Sequence, residues 1–309
     1  MIRYLPHKDI DKNAWDTCLR RSFNGIVYAQ SWFLDIVSPG WDALVGGEYE
    51  SVFPLTHHRK FGIPYLYQPF FTQQLGIFSG RHLTAQVVQE FIDAIPRRFR
   101  LADIHLNAFN KVDPAGVPGK MRINLELDLI APYEQLVKSY SENTRRNVKK
   151  AAVKGVQLIR KPDPDELITL FRENFGSTEK KLKYRHYDML RSIMKQALAN
   201  NLGMTFGAGL AGRPMSAGAF FLFDRTRRIF HFAATGPEGR DSGAMFLMID
   251  SFIRENAGQA LILDFEGSDD ENVARFYKGF GGREVPYYMV RINRLPRILK
   301  LGLSLFRKT

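Results

Sequence analysis

The stretch Leu263–Gly282, LDFEGSDDENVARFYKGFGG, sets a short apolar strand, an acidic turn, an aromatic and basic helix and a glycine stop within twenty residues. Strand alternation places Asp264 and Glu266 on one face and Leu263 and Phe265 on the other. The strand therefore delivers a carboxylate to its end, where the following helix brings Phe276, Tyr277 and Lys278. Two roles are open to that carboxylate: a base toward an incoming amine, or a hydrogen-bonded cap of the GSDD turn. Phe276 and Phe280 read as core, while Tyr277 offers a ring for stacking on a substrate.

Working outward, the segment YEQLVKSYSENTRRNVKKAAVKG before this module reads as one helix. Its apolar positions are Leu136, Val137, Tyr140, Val148 and Ala152, and Gly155 stops it. VQLIR is a strand. PDPDELITLFRENF opens with proline and acid as a helix start should, and YRHYDMLRSIMKQALANN is an amphipathic helix. LGMTFGAGL, PMSAGAFFLFD and RIFHFAATG are strand-like runs joined by AGR and RTR, an antiparallel meander. A glycine-rich loop, TGPEGRDSG, leads into the helix AMFLMIDSFIREN; then come the strand ALILDFEGS, the helix ENVARFYKGF and the strand EVPYYMVRI.

The first half repeats this order more faintly. WDALVGG, ESVFPLTHHRK and IPYLYQPF are three strands, FTQQLGIFSGRH the loop, LTAQVVQEFIDAIPRRF the helix and ADIHLNAF the next strand. MRINLELDL closes the unit, alternating at Ile123, Leu125, Leu127 and Leu129. The expectation is an α+β protein with two domains of one topology, residues 1–130 and 131–290. The tail, NRLPRILKLGLSLFRKT, sets Leu295, Ile298, Leu299 and Leu305 beside Arg294, Arg297, Lys300, Arg307 and Lys308. Such a segment either packs back on its own first domain or lies on an anionic membrane.

With 309 residues, 45% hydrophobic and 25% charged, the chain can bury a sizeable core. No run approaches the ~20 apolar residues that span a bilayer, and the start lacks a signal-peptide pattern. Cys18 is the only cysteine, which excludes an intrachain disulfide and cysteine-rich zinc sites and fits a cytoplasmic setting. Seven histidines without HxxxH spacing give no expectation of a metal. The net charge of +12 favours anionic partners such as nucleic acid, phosphorylated metabolites or an acidic membrane face.

A meander, a glycine-containing loop, a helix, a splayed strand and a further helix resemble the GNAT N-acyltransferase fold. In tandem they are similar to the FemABX family, which adds amino acids from aminoacyl-tRNA to peptidoglycan precursors. The residues that carry the resemblance are YSENTRRNVKKAAVKGV, LAGRPMSAGAFFLF and LDFEGSDDENVARFYKGFGG in the second half; in the first, YLYQPFFTQQLGIFS resembles one subgroup. The resemblance implies two tandem GNAT-like domains of the compact type, since no heptad run long enough for a coiled-coil arm exists. It implies an aminoacyl- or acyltransferase acting on an amine of a cell-envelope precursor, nucleotide-sugar or lipid-linked. No permanent cofactor is implied; aminoacyl-tRNA or acetyl-CoA is the donor. Lys278 matches the lysine of an F-x-K-x-G-F-G-like motif and is then a contact for a substrate phosphate or the oxyanion; its other reading is a solvated cation facing the helix C-terminus. Arg240 and Gly243 fit the donor loop Q/R-x-x-G-x-G/A, whose amides hold a pyrophosphate; Met245 departs from it.

Acyl transfer from an activated ester needs chiefly an amine nucleophile, oxyanion stabilisation and positioning, so the lack of a GxSxG motif is no objection. Arg145 and Lys149, and Arg146 and Lys150, share faces of one helix that also carries Lys154, a stripe suited to phosphates of tRNA or a nucleotide-sugar, or simply a solvated face. Tyr65, Tyr67, Gln68, Thr72, Gln73 and Gln74 combine rings with amides, as sugar or peptide recognition requires, or as a packed strand pair would. His57 and His58 face opposite sides of a strand and do not share a metal; Tyr184, Arg185 and His186 begin a helix that lines a cleft. Two competing classes stand beside the cell-envelope transferase: a CoA-dependent N-acetyltransferase of a small amine or amino sugar, and a non-catalytic basic module for RNA or an anionic surface.

Overall fold

The computed structural model describes residues 1–175, 182–267 and 270–296. The chain divides into two compact units, Met1–Arg122 with Pro286–Thr309, and Ile123–Val285. The strand Gly119–Asp128, which alternation assigns to the end of the first half, thus gives its residues from Ile123 onward to the second unit. The packing of the basic tail lies beyond residue 296, outside the described residues.

In the second unit, Ile262–Asp264 lies between two neighbours. It runs antiparallel to residues 126–128 (Ile262 opposite Asp128, Asp264 opposite Glu126) and parallel to Arg227–Thr235. Ala217–Phe223, Gly203–Leu210 and Val156–Arg160 extend the sheet by antiparallel pairs, as the turns AGR and RTR predict. One face buries Ala217, Ala219 and Phe221 against Met248, Phe252 and Ile253 of the helix Ala244–Asn256. The Phe221 and Phe252 rings stack 3.7 Å apart. On the other face Gly218 lies under Leu167 of the helix Pro164–Phe175; a Cβ there would come 3.1 Å from Leu167 Cδ1.

The helix expected over 133–155 is interrupted. Tyr133–Leu136 forms one short turn, and the main helix, Glu142–Val153, starts afresh at Ser141. Ser141 sits in extended backbone and its hydroxyl accepts from Thr144 N, a cap that a continuous helix could not contain. Within the loop TGPEGRDSG, Pro237–Ser242 is helical, and Gly243 turns left-handed (φ 78°) before the next helix. A Cβ on Gly243 would also lie 2.8 Å from Asn147 O, so that position needs glycine twice over.

The first unit holds a four-stranded sheet in the order Ile2–Leu5, Asp42–Gly46, Ser51–Leu55, Phe78–Ser79. A hairpin, His57–Lys60 with Ile63–Tyr67, pairs in parallel with Leu101–His105, which pairs antiparallel with residues 289–293. The run ESVFPLTHHRK, expected as one strand, is therefore two strands of different sheets. The chain turns at Thr56, whose hydroxyl donates to Tyr67 O (2.6 Å). Residues 1–40, to which no element was assigned from sequence, supply a strand and the helices Lys12–Arg21 and Ser31–Val37 around the buried Trp15 and Trp41. The helix expected from LTAQVVQEFIDAIPRRF is Ala85–Asp93, capped by Thr84; its Val88, Phe91 and Ile92 enter the first unit's core. Among the described residues no helix is long and apolar enough to cross a membrane.

Candidate active site

The opening stretch does not behave as a simple strand. Its ladder ends at Asp264, because Glu266 takes a left-handed conformation (φ 53°) and Gly267 presses against residues 123 and 124. A Cβ on Gly267 would fall 2.1 Å from Ile123 O. The Asn124 amide holds this turn: Nδ2 donates to Asp264 Oδ1 (3.0 Å), and Oδ1 accepts from Gly267 N (2.9 Å). Asp264 and Glu266 consequently part company rather than sharing a strand face.

Asp264 turns into a buried charge network. Arg227 Nη1 donates to Asp264 Oδ2 (3.0 Å) and Glu126 Oε1 (2.7 Å), and Asn124 Nδ2 also reaches Glu126 (3.0 Å). Burial alone would pull Arg227 down, but Asp264 and Glu126 outweigh it and raise its pKa, so the guanidinium stays charged. Burial, against the pull of Arg227, pushes Glu126 above the ordinary carboxylate value. Both oxygens of Asp264 are committed to this network.

Glu266 turns the other way, toward His231. The parallel strands Arg227–Thr235 and Ile262–Asp264 stop pairing at Ile229 opposite Asp264. Two residues beyond that last rung on each side stand His231 and Glu266, with Nδ1 3.3 Å from Oε1. His231 is also the extra residue of a β-bulge: the register with the neighbouring strand steps from Phe220–Phe232 to Phe221–Phe230. A bulge re-aims a side chain, and here it serves the point where the strands diverge. Burial drives the His231 pKa down to about 3, so the ring is neutral across the physiological range. Burial pushes Glu266 well above the usual carboxylate value, although a fifth of its side-chain surface (20%) remains open. Tyr277 completes the wall. Its ring stacks on Phe265 (5.0 Å between centroids) and meets Phe230 edge-on (5.9 Å). Its pKa is raised, first by burial and then by the Glu266 charge. A neutral imidazole donating to a partly buried, reachable carboxylate can hold that carboxylate ready to accept a proton.

The His231 depression has a measurable consequence. The unfolded chain binds a proton near pH 6.5, whereas the folded chain refuses it until about pH 3. Stability from this group is present above the unfolded value and is lost as pH falls through that window, at up to about 1.4 kcal/mol per pH unit. In a Glu266→Gln background, which removes the opposing carboxylate titration, urea midpoints are expected to fall more steeply on acidification with His231 than with His231→Asn. Parallel slopes would contradict a neutral buried imidazole.

The other sequence candidates are dispersed. Lys278 Nζ lies 2.5 Å from Glu284 Oε1, and both side chains are about half exposed. Arg145, Arg146 and Lys149 are exposed on Glu142–Val153, with Arg146 donating to Asn143 Oδ1 (3.1 Å). Lys154 and Lys150 face Asp241 at 2.6 and 4.0 Å. Arg240 donates to Thr235 O (2.7 Å), and Met245 is buried in the core. In the first unit the amides brace a loop: Gln68 accepts from His105 N and donates to Thr72 O, and Gln74 accepts from Ala108 N and donates to Gln73. Thr72 donates to Phe70 O, and Tyr67 OH points to Val37 O at 3.4 Å. His186 Nδ1 accepts from Lys183 N at the helix start, and Arg185 Nε lies 3.3 Å from His186 Nε2. A cleft of ≈ 800 Å³ beside that helix is lined by Arg172, Lys183, Tyr184 and Tyr187.

Sequence reasoning brought Glu266 and Tyr277 together and missed His231, Arg227, Asn124 and Glu126. A signal existed for one of them: RIFHFAATG carries one histidine inside an apolar run.

No family model and no curated protein matches the chain. Solved structures do. FemX superposes with a TM-score of 0.65 at 13% identity, covering 91% of this chain and 96% of that one. The C-terminal domain of a candidate lysylphosphatidylglycerol synthetase from Agrobacterium fabrum gives 0.58 at 11% identity, covering 95% of each chain. The L-PGS structure from Bacillus licheniformis gives 0.55 at 11%, covering 96% of each. The fold is thus α+β, of the kind found in FemX.

Proposed function

We propose that the chain is an aminoacyl- or acyltransferase that joins an activated carbonyl to an amine of a cell-envelope precursor, with Glu266 as the proton acceptor. The observation that carries this reading is the Glu266–His231 pair, set where two parallel strands diverge in a fold shared with FemX. An amine arriving as ammonium must lose a proton before it attacks. Glu266, its pKa raised by burial, accepts that proton, while neutral His231 fixes the carboxylate through Nδ1. The amine nitrogen then bonds to the carbonyl carbon. Collapse of the tetrahedral adduct breaks the bond to the donor, whose oxygen or sulfur leaves and takes up a proton. The exposed cations Arg145, Arg146 and Lys149 are assigned to donor phosphates, and the charge of +12 favours aminoacyl-tRNA over a smaller donor.

The test is incubation with charged tRNA or acetyl-CoA and a panel of muropeptide and amino-sugar precursors, read by mass spectrometry. The reading predicts a mass gain of one aminoacyl or acyl group on an acceptor amine; transfer from neither donor would remove it. Lys278 is assigned to the donor's phosphate chain, so Lys278→Ala is expected to raise the donor KM about tenfold at low salt and to leave kcat unchanged. A change in kcat alone would move Lys278 to the reacting centre, and no change in either would take it out of the site.

A further inference from the structure

We infer that the hairpin tip at Phe61 is an insertion point for an anionic lipid surface, independent of the transfer chemistry above. The strands His57–Lys60 and Ile63–Tyr67 pair with Lys60 opposite Ile63, leaving Phe61 and Gly62 as a two-residue turn. Both turn residues have positive φ, 50° and 77°. Such a turn favours Asn-Gly or Gly-Gly, because a left-handed residue with a large side chain is strained. Here the first position is phenylalanine, with 92% of its surface exposed. Neither the turn nor the described core explains that ring: the turn would close more readily on asparagine, and among the described residues the ring belongs to neither core cluster. Its described contact is Lys60, whose Nζ lies 5.6 Å from the ring centroid.

The surroundings fit a charged interface. His58, Arg59 and Lys60 are exposed, and so is Arg100, whose backbone N–H donates to Pro64 O, one rung below the turn (3.2 Å). His58, Tyr65 and Tyr67 form an aromatic row along the hairpin, with centroids 6.0–6.4 Å apart. His57–Lys60 is the outermost strand of its sheet, and cations on an outer strand are explained by the need to deter pairing with other chains. That need does not call for an exposed phenylalanine at the tip. An apolar ring ahead of a cationic collar matches the layering of a membrane surface, hydrocarbon and then anionic headgroups, and tyrosines beside that collar suit the headgroup level.

The experiment is co-sedimentation of the full chain with phosphatidylcholine vesicles, with and without phosphatidylglycerol. Wild-type protein should bind the anionic vesicles and not the neutral ones. Phe61→Asn, which suits the turn, should melt no lower than wild type and bind about tenfold more weakly. Arg59→Ser and Lys60→Ser should each cost about fivefold. Phe61→Trp should shift its emission to the blue on binding. The inference is overturned if wild type ignores anionic vesicles or if Phe61→Asn binds as tightly as wild type. It is equally overturned if Phe61 serves salt-sensitive retention of tRNA instead, with no vesicle binding.

Discussion

Glu266→Gln is expected to lower the transfer rate by roughly 10²–10⁴-fold, the contribution of a positioned general base, while leaving the fold intact. The glutamine keeps an acceptor for His231 Nδ1 but cannot take a proton from the incoming amine. The wild-type kcat/KM should rise with pH through the elevated Glu266 pKa and then level off, and the variant's profile should lose that step. A second readout separates catalysis from damage. A carboxyl group whose folded pKa is raised favours the native state at low pH and loses that support as pH climbs through the folded value. The variant is exempt from this loss, so at pH 8 it should unfold at higher urea than wild type. An inactive variant that is also less stable would indicate a damaged turn instead.

Arg227→Met should be the most destabilising single change in the second unit, by about 3–5 kcal/mol, since it leaves Glu126 and Asp264 buried without their cation. The loss should be smaller at pH 5 than at pH 8. Stranded carboxylates have raised pKa values; they are protonated and tolerated in acid and become costly as pH rises. Removing one stranded charge as well, in Arg227→Met/Glu126→Gln, should restore part of the urea midpoint at unchanged m-value. An Arg227→Met protein as stable as wild type would mean that the network is solvated rather than buried.

These two variants probe neighbouring carboxylates that strand alternation set side by side. Alternation presumes a continuing strand, and this one stops at Asp264, so the two side chains serve opposite ends of the local structure: one holds the sheet together and the other faces the diverging strands. The groups that separate them come from distant sequence. Asn124 lies 140 residues from Asp264, and His231 lies 35 from Glu266. Pairings of that range leave no trace in local periodicity, which is why Asn124 and Glu126 could not be picked out beforehand.

The amino-acid sequence by itself determined what is settled between near neighbours. The meander Gly203–Thr235 follows from its turn residues and alternating apolar positions, the helices from their periodicity, and the start of Glu271–Lys278 from the Asp270 side chain. Each of these reflects hydrogen bonds and burial within a few residues. Only the tertiary structure decided the rest: the break at Ser141, the division of ESVFPLTHHRK between two sheets, the partners of Lys278 and the amide-rich loop, and which acid faces His231. A side chain's partner is set by the balance between leaving water and meeting a complementary group, and that group is known only once the strands have docked.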